Sequence, residues 1–222
     1  ITDRRDFYDL AIGNVPFGQY QVNDRAYNKL GFSIHDYFFA KALDQVRPGG
    51  VVAFVTSRYT MDKQTPDVRK YIAQRAELLG AIRLPNDAFK ANAGTEVVSD
   101  IIFLQKRDRM VDIEPAWVHL NTDANGHKMN QYFVDNPDMI LGDMKEISGP
   151  FGPELACVPF ENLSLGELLS DAIQNIHAEI TEYDLDEVLD GEEDLSIPAL
   201  PDVRNFSYAV VEGKVYYREN SR

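Results

Sequence analysis

The run Phe7-Tyr8-Asp9-Leu10-Ala11-Ile12-Gly13, closed by Asn14-Val15-Pro16-Phe17, constrains the fold of this chain more than any other stretch. It is short, apolar and bounded by a turn signal, which reads as a buried strand. An alternation of elements follows it. Ser33 reads as the N-cap of a helix over Ile34 to Val46, with Tyr37, Phe38, Ala40, Leu43 and Val46 on its apolar face. Arg47-Pro48-Gly49-Gly50 is expected to end that helix, and Val51 to Ser57 to form a second buried strand, rich in β-branched residues. A helix from about Pro66 to Leu79 leads into a strand over Leu79 to Leu84. A hairpin-like pair then joins residues 87–90 to residues 97–106 across a small loop at 91–95. Alternating strands and helices define an α/β domain with a mainly parallel sheet and a last, antiparallel strand.

In open α/β sheets ligands bind just outside the carboxyl ends of the strands. The residues closing the first strand have a chemistry suited to that place. The Asn14 side-chain carbonyl accepts hydrogen bonds from an exocyclic amine, and a backbone carbonyl fixed by Pro16 accepts another. Phe17 offers a flat face for stacking. Tyr20 and Tyr27 fall in the irregular stretch 18–33, which reads as a loop over such a site. Arg58 ends the second strand at the same edge, where it could meet a phosphate. Asp9 is read as orienting the strand or facing the neighbouring helix rather than as a base. His35, just inside a helix N-terminus, is read as structural or solvated, because no carboxylate and nucleophile accompany it.

Asp9-Leu10-Ala11-Ile12-Gly13-Asn14-Val15-Pro16-Phe17 resembles the D-x-x-x-x-N-P-P-F/Y/W strand of S-adenosylmethionine-dependent amino methyltransferases, above all the DNA adenine-N6 enzymes. Val15 departs from that pattern, standing where the family has its first proline. The order of elements over residues 6–107 also resembles the second half of a methyltransferase domain, from the amine-binding strand to the antiparallel C-terminal strand. The resemblance implies that Asn14, Val15, Pro16 and Phe17 carry the catalysis. It further implies that Phe89, with Tyr20 and Arg58, contacts a flipped adenine and its strand. The methyl donor would be S-adenosylmethionine, and DNA would be bound through residues 1–110. Flipping a base out of a duplex costs a few kcal/mol, and aromatic stacking at about 1–3 kcal/mol per base offsets much of it.

The glycine-rich cofactor loop of that family is missing upstream of Asn14, since only six residues precede Phe7, and no initiator Met is present. The chain is therefore expected to be a fragment of a larger enzyme, inactive alone, that does not bind S-adenosylmethionine by itself. Two further readings stand beside this one. One is a degenerate methylase fold serving as a scaffold or binding module in a helicase-containing protein, favoured by Val15 and the acidic tail. The other is the same chemistry on RNA adenine or on protein glutamine.

Composition bounds the rest. The formal charge of −14 argues against a protein that wraps DNA by itself, but the first 110 residues are close to balance and the acidity lies in residues 111–222. One cysteine, Cys157, allows no internal disulfide, and the four scattered His give no metal-ligand spacing. A cytoplasmic setting is the expectation, and no apolar run is long enough to cross a membrane. Residues 111–183 are expected as a mixed helical appendage. Within it, Ile113 to Leu120 reads as a strand, Asn130 to Gly142 as a short helix with a turn, and Leu163 to Tyr183 as a longer helix. An acidic linker at 184–205 and a terminal hairpin at 206–222, turning at Glu212-Gly213, would follow. The runs YFVDNPDMILGDM (132–144) and VRNFSYAVVEGKVYYRENS (203–221) resemble the segment between methylase and helicase parts in very large proteins of phages and conjugative elements. Other domains of the same polypeptide, a helicase among them, are the partners this implies.

Overall fold

The computed structural model describes residues 4–16, 18, 22–90, 97–149, 152–180, 202–204 and 207–218, which fall into two units, Ile1–Ile180 and Thr181–Arg222. Four strands form the main sheet of the first unit: β1 (Tyr8–Asn14), β2 (Val46–Ser57), β3 (Ala76–Leu84) and β4 (Ser99–Lys106), in the order β1-β2-β4-β3. β1 runs parallel to β2, and β4 runs antiparallel to both β2 and β3. Three strands therefore share one direction and the last is inserted between two of them in reverse. This is the α/β arrangement expected, with one difference in how the reversal is made. Residues 86–89 form turns, with the Ala88 N–H on the Pro85 carbonyl at 3.0 Å, and the hairpin partner of β4 is β3 itself. Pro85 cannot continue a ladder for want of an N–H. The next strand able to bury its apolar side chains is β4.

Helices α1 (Ile34–Gln45) and α3 (Asp67–Arg75) pack on the sheet through Phe39, Leu43, Val68 and Ile72, and the four-residue α2 (Tyr59–Asp62) follows β2. Asp36 caps α1, accepting from the Ser33 N–H at 3.3 Å and the Ser33 hydroxyl at 2.7 Å. Phe39 meets Phe54 of β2 edge-on with ring centroids 5.3 Å apart. Register places Phe54 beside Ile102 and Ile102 beside Ala81, so one buried apolar row crosses β2, β4 and β3.

Arg47-Pro48-Gly49-Gly50 does not separate helix from strand. β2 begins at Val46, and these residues bulge out of it, the register jumping from Tyr8 opposite Val46 to Leu10 opposite Val51. Gly49 supplies φ of 76° for the bulge. A Cβ on Gly50 would stand 2.8 Å from the Arg47 carbonyl and 3.0 Å from that of Asp9. Asp9 Oδ1 accepts from Arg47 Nε at 2.6 Å, an ion pair between β1 and the bulge. The helix expected to reach Leu79 stops at Arg75. Ala76 to Leu78 enter β3 instead, because pairing with Lys106 to Leu104 overrides their helical propensity.

β1 is not the buried strand its sequence predicts. Leu10 is 53% and Ile12 76% exposed, because β1 is the edge of this sheet and no described element covers its outer side. Beyond β4 the chain folds back onto the same core. A 3-10 turn at Ala116–Val118 and a short strand β5 (Leu120–Thr122) replace the strand expected over 113–120. β5 pairs with β6 (Lys128–Asn130), and α4 (Gln131–Asp135) with a 3-10 turn at Pro137–Met139 forms the expected short helix. Met129, Phe133, Met139 and Leu141 join the core of the sheet. A hairpin of β7 (Gly142–Gly149) and β8 (Gly152–Pro159) follows, then α5 (Leu165–Ile173), shorter than the helix expected over 163–183. It ends early because the next residues pack on the sheet. Ile176 lies against Gly80, where a Cβ would stand 3.0 Å from its Cγ1, and Gln105 Nε2 donates to the Glu179 carbonyl at 2.7 Å.

In the second unit β9 (Tyr208–Val211) and β10 (Lys214–Tyr217) form the expected hairpin. Glu212 and Gly213 turn it with positive φ of 51° and 82°. Most of the acidic stretch expected as a linker lies outside the described residues. No helix among the described residues is long and apolar enough to cross a membrane.

The uneven burial of the sheet gives a direct test. Ile102→Ala, at a fully packed position, should destabilise the chain by about 2–5 kcal/mol in urea unfolding. Ile12→Ser, on the open edge, should change stability by no more than about 0.5 kcal/mol.

Candidate functional site

Three chain segments meet at the carboxyl ends of β1, β2 and β3. Asn14 ends β1 and sits opposite Val55, so the carboxyl ends of β1 and β2 lie side by side. The Asn14 side chain is exposed and has no hydrogen-bond partner among the described residues. Val15, where the family pattern has proline, is 3% exposed and packs in the core, while its N–H donates to the Val55 carbonyl at 2.9 Å. A proline there would lose that bond. The departure thus extends the β1–β2 ladder by one residue and holds Asn14 at its end. Pro16 follows, exposed; Phe17 and Tyr20 lie outside the described residues.

Phe89 stands in the turns after β3, half-buried and packed against the core. Tyr27 is fully packed, 5% exposed, its hydroxyl donating to Asp44; burial and that carboxylate raise its pKa well above the ordinary phenol range. With Phe32, Tyr37 and the amides of Asn23 and Asn28 it lines a cavity of about 350 Å³ whose lining does not include Asn14. His35 is half-buried, and burial lowers its pKa.

Arg58 is not held out toward solvent. Its Nη1 lies 3.5 Å from Asp62 Oδ2 and its guanidinium carbon 4.9 Å from the Tyr59 ring centroid. Asp62 belongs to a buried charge cluster beneath this edge. Arg83 donates from Nε and Nη2 to the two oxygens of Asp100 at 2.8 and 2.9 Å, and its Nη1 lies 3.0 Å from Asp62 Oδ2. The Nη1 contact is an ion pair outside hydrogen-bond alignment. Arg83 and Asp100 are both 0% exposed. Burial alone would lower the Arg83 pKa, but the carboxylates of Asp100 and Asp62 outweigh it and hold the guanidinium protonated, above its ordinary value. The Phe133 ring covers the guanidinium at 4.2 Å. Asp62 Oδ1 accepts the Asn130 N–H at 2.9 Å, and Asn130 Nδ2 donates to the carbonyls of Met61 and Trp117, each at 2.8 Å.

Sequence reasoning misses this cluster, although a signal for it is present. Arg83 and Asp100 interrupt the apolar runs Ala81-Ile82 and Ile101-Ile102, and a charge inside a buried strand requires a partner. Pairing β3 with β4 in the right register places them opposite each other. Among the described residues no three His, Cys, Asp or Glu side chains are grouped to hold a metal ion.

No family model matches the chain. Over 126 residues it is 32% identical to "Defense against restriction protein B" of Escherichia phage P1, covering 55% of this chain and 6% of that protein. The chain thus spans a small part of that relative's length. Its fold overlaps partially with solved methyltransferases. One is a Listeria monocytogenes protein assigned to the class I S-adenosylmethionine-dependent methyltransferases, at 25% identity, with 50% of this chain and 34% of that one covered and a TM-score of 0.38. Another is the M protein of the type I restriction enzyme EcoKI, at 18% identity, with 47% and 23% covered and a TM-score of 0.40. A modification subunit assigned to a type I restriction enzyme of Vibrio vulnificus overlaps at 15% identity, 73% and 40% coverage and a TM-score of 0.39.

The charge cluster makes unequal predictions for its members. Asp100→Ala should destabilise the chain by about 3–5 kcal/mol, because it leaves Arg83 buried with half its compensation. Arg58→Ala should leave the fold intact, since Arg83 still neutralises Asp62. Urea unfolding of the two variants side by side reads the difference.

Proposed function

We propose that the chain is the substrate-binding half of an S-adenosylmethionine-dependent methyltransferase domain acting on the N6 amine of adenine in DNA. The observation that carries this reading is the exposed Asn14 amide, without a partner among the described residues, at the carboxyl end of a strand whose neighbour is parallel. Methylation of an exocyclic amine needs no strong base. Hydrogen bonds from its two N–H groups to the Asn14 side-chain carbonyl and to the Val15 backbone carbonyl draw the nitrogen toward sp3 and expose its lone pair. The donor supplies an electrophilic methyl group. The methylated amine then releases one proton to solvent. Phe17, next in sequence, supplies a stacking face, and the accessible part of Phe89 a second wall.

The described residues do not build a holder for the adenosyl part of such a donor. The turns after β1, β2 and β3 begin Asn14-Val15-Pro16, Arg58-Tyr59-Thr60 and Pro85-Asn86-Asp87, none of them glycine-rich. In this reading the donor is held by residues beyond these, in a longer polypeptide like the phage P1 relative.

The test is methyl transfer by the parent polypeptide. Asn14→Ala should lower the rate of transfer to an adenine-bearing duplex by at least about a hundredfold, as loss of a preorganised acceptor does elsewhere, with the fold unchanged by circular dichroism. An unchanged rate would reduce the Asn14 loop to a turn.

A further inference from the structure

At the same edge, Tyr59 is 62% exposed although it is large, aromatic and immediately beyond a buried strand. It is not loose. The Arg58 guanidinium lies 4.9 Å from its ring centroid, and its N–H donates to Ser57 Oγ at 3.2 Å. The Arg58 side chain is only 15% exposed and is held from beneath by Asp62 at 3.5 Å. Asp62 is fixed in turn by Arg83 and by the Asn130 N–H. An aromatic ring is therefore presented to solvent on a support anchored in the core. Such a preorganised ring loses little freedom when a flat ligand stacks on it.

Its position says which ligand. Tyr59 lies four residues past Val55, the register partner of Asn14, so chain reach holds it within about 14 Å of Val55, and Asn14 lies about 5 Å from Val55 on the adjoining strand. Arg58 cannot serve as a free phosphate clamp while Asp62 holds it, but a cation beside the ring strengthens stacking with an electron-rich heterocycle. Resting on the proposed role of Asn14, we propose that Tyr59 is a base-stacking residue for a nucleotide neighbouring the one presented to Asn14, in single-stranded or locally opened DNA. Asp62 and Arg58 are its positioning residues. Stacking of this kind tolerates any base, because every base has a π-face. Tyr59 would therefore supply affinity and hold the strand open rather than read sequence.

The experiment uses the intact 222-residue chain and the anisotropy of labelled single-stranded oligonucleotides of equal length, one adenine-bearing and one abasic. Tyr59→Ala should bind the adenine-bearing strand about tenfold more weakly and the abasic strand as the wild type does. Tyr59→Phe should restore binding, since the stacking face survives. A Tyr59→Ala chain that binds like the wild type, while Asn14→Ala binds more weakly, overturns the stacking role and leaves the Asn14 reading standing. An equal loss on both strands also overturns it, because the contact would then be to the backbone. A wild-type chain that binds neither strand overturns this proposal and the nucleic-acid reading together, most plainly if it binds a glutamine-bearing peptide instead.

Discussion

The bidentate pairing of Arg83 with Asp100, and the second contact from Arg83 to Asp62, hold together the part of this molecule where chemistry is proposed. Thr56, Asp100 and Arg83 form one register row across β2, β4 and β3, two residues beyond the apolar row of Phe54, Ile102 and Ala81. All three are 0% exposed. A buried guanidinium is tolerable only when its donors face acceptors and its charge is offset. Asp100 fixes β4 against β3, and Asp62 ties the turn after β2 to both. Through the Asn130 N–H, the same carboxylate reaches the end of β6, so elements far apart in sequence are held to one edge of the sheet.

That edge differs in character from the core beneath it. Val15 closes the last β1–β2 hydrogen bond with an N–H that proline would lack, and Asn14 stands at the end of the extended ladder. Arg58 and Tyr59 stand above Asp62. An exposed amide and an exposed ring stand there on a packed base, as the proposed binding roles require. β1 shows the opposite property along its length, with apolar side chains at an open edge. Parallel strands are ordinarily covered on both faces. The open side of β1 fits the proposal that this sheet is half of a larger one.

Much of this was legible in the residues. The strand–helix alternation, the Ser33 cap, the antiparallel last strand and the terminal turn at Glu212-Gly213 follow from local chemistry that tertiary contacts do not override. Failures came where tertiary contacts decide. Ala76 to Leu78 are good helix formers drawn into β3 by Leu104 to Lys106, and the residues after Ile173 leave their helix to lie against Gly80. The Arg47-Pro48-Gly49-Gly50 run reads as a break from its composition alone, and only the register of β1 shows it to be a bulge. At the candidate site the position of Asn14 was legible, because a strand end is a local property. The holding of Arg58 by Asp62 was not, because it depends on a third residue, Arg83, that sequence places far away.

The most direct measurement of the central claim follows the Asn14 side-chain amide by ¹⁵N NMR while an adenine-bearing single strand is added to the intact chain. If Asn14 accepts from the exocyclic amine, its side-chain resonance should move saturably with that strand. It should stay fixed with a strand in which purine without the amine replaces adenine. Equal movement with both strands, or none with either, would contradict the account.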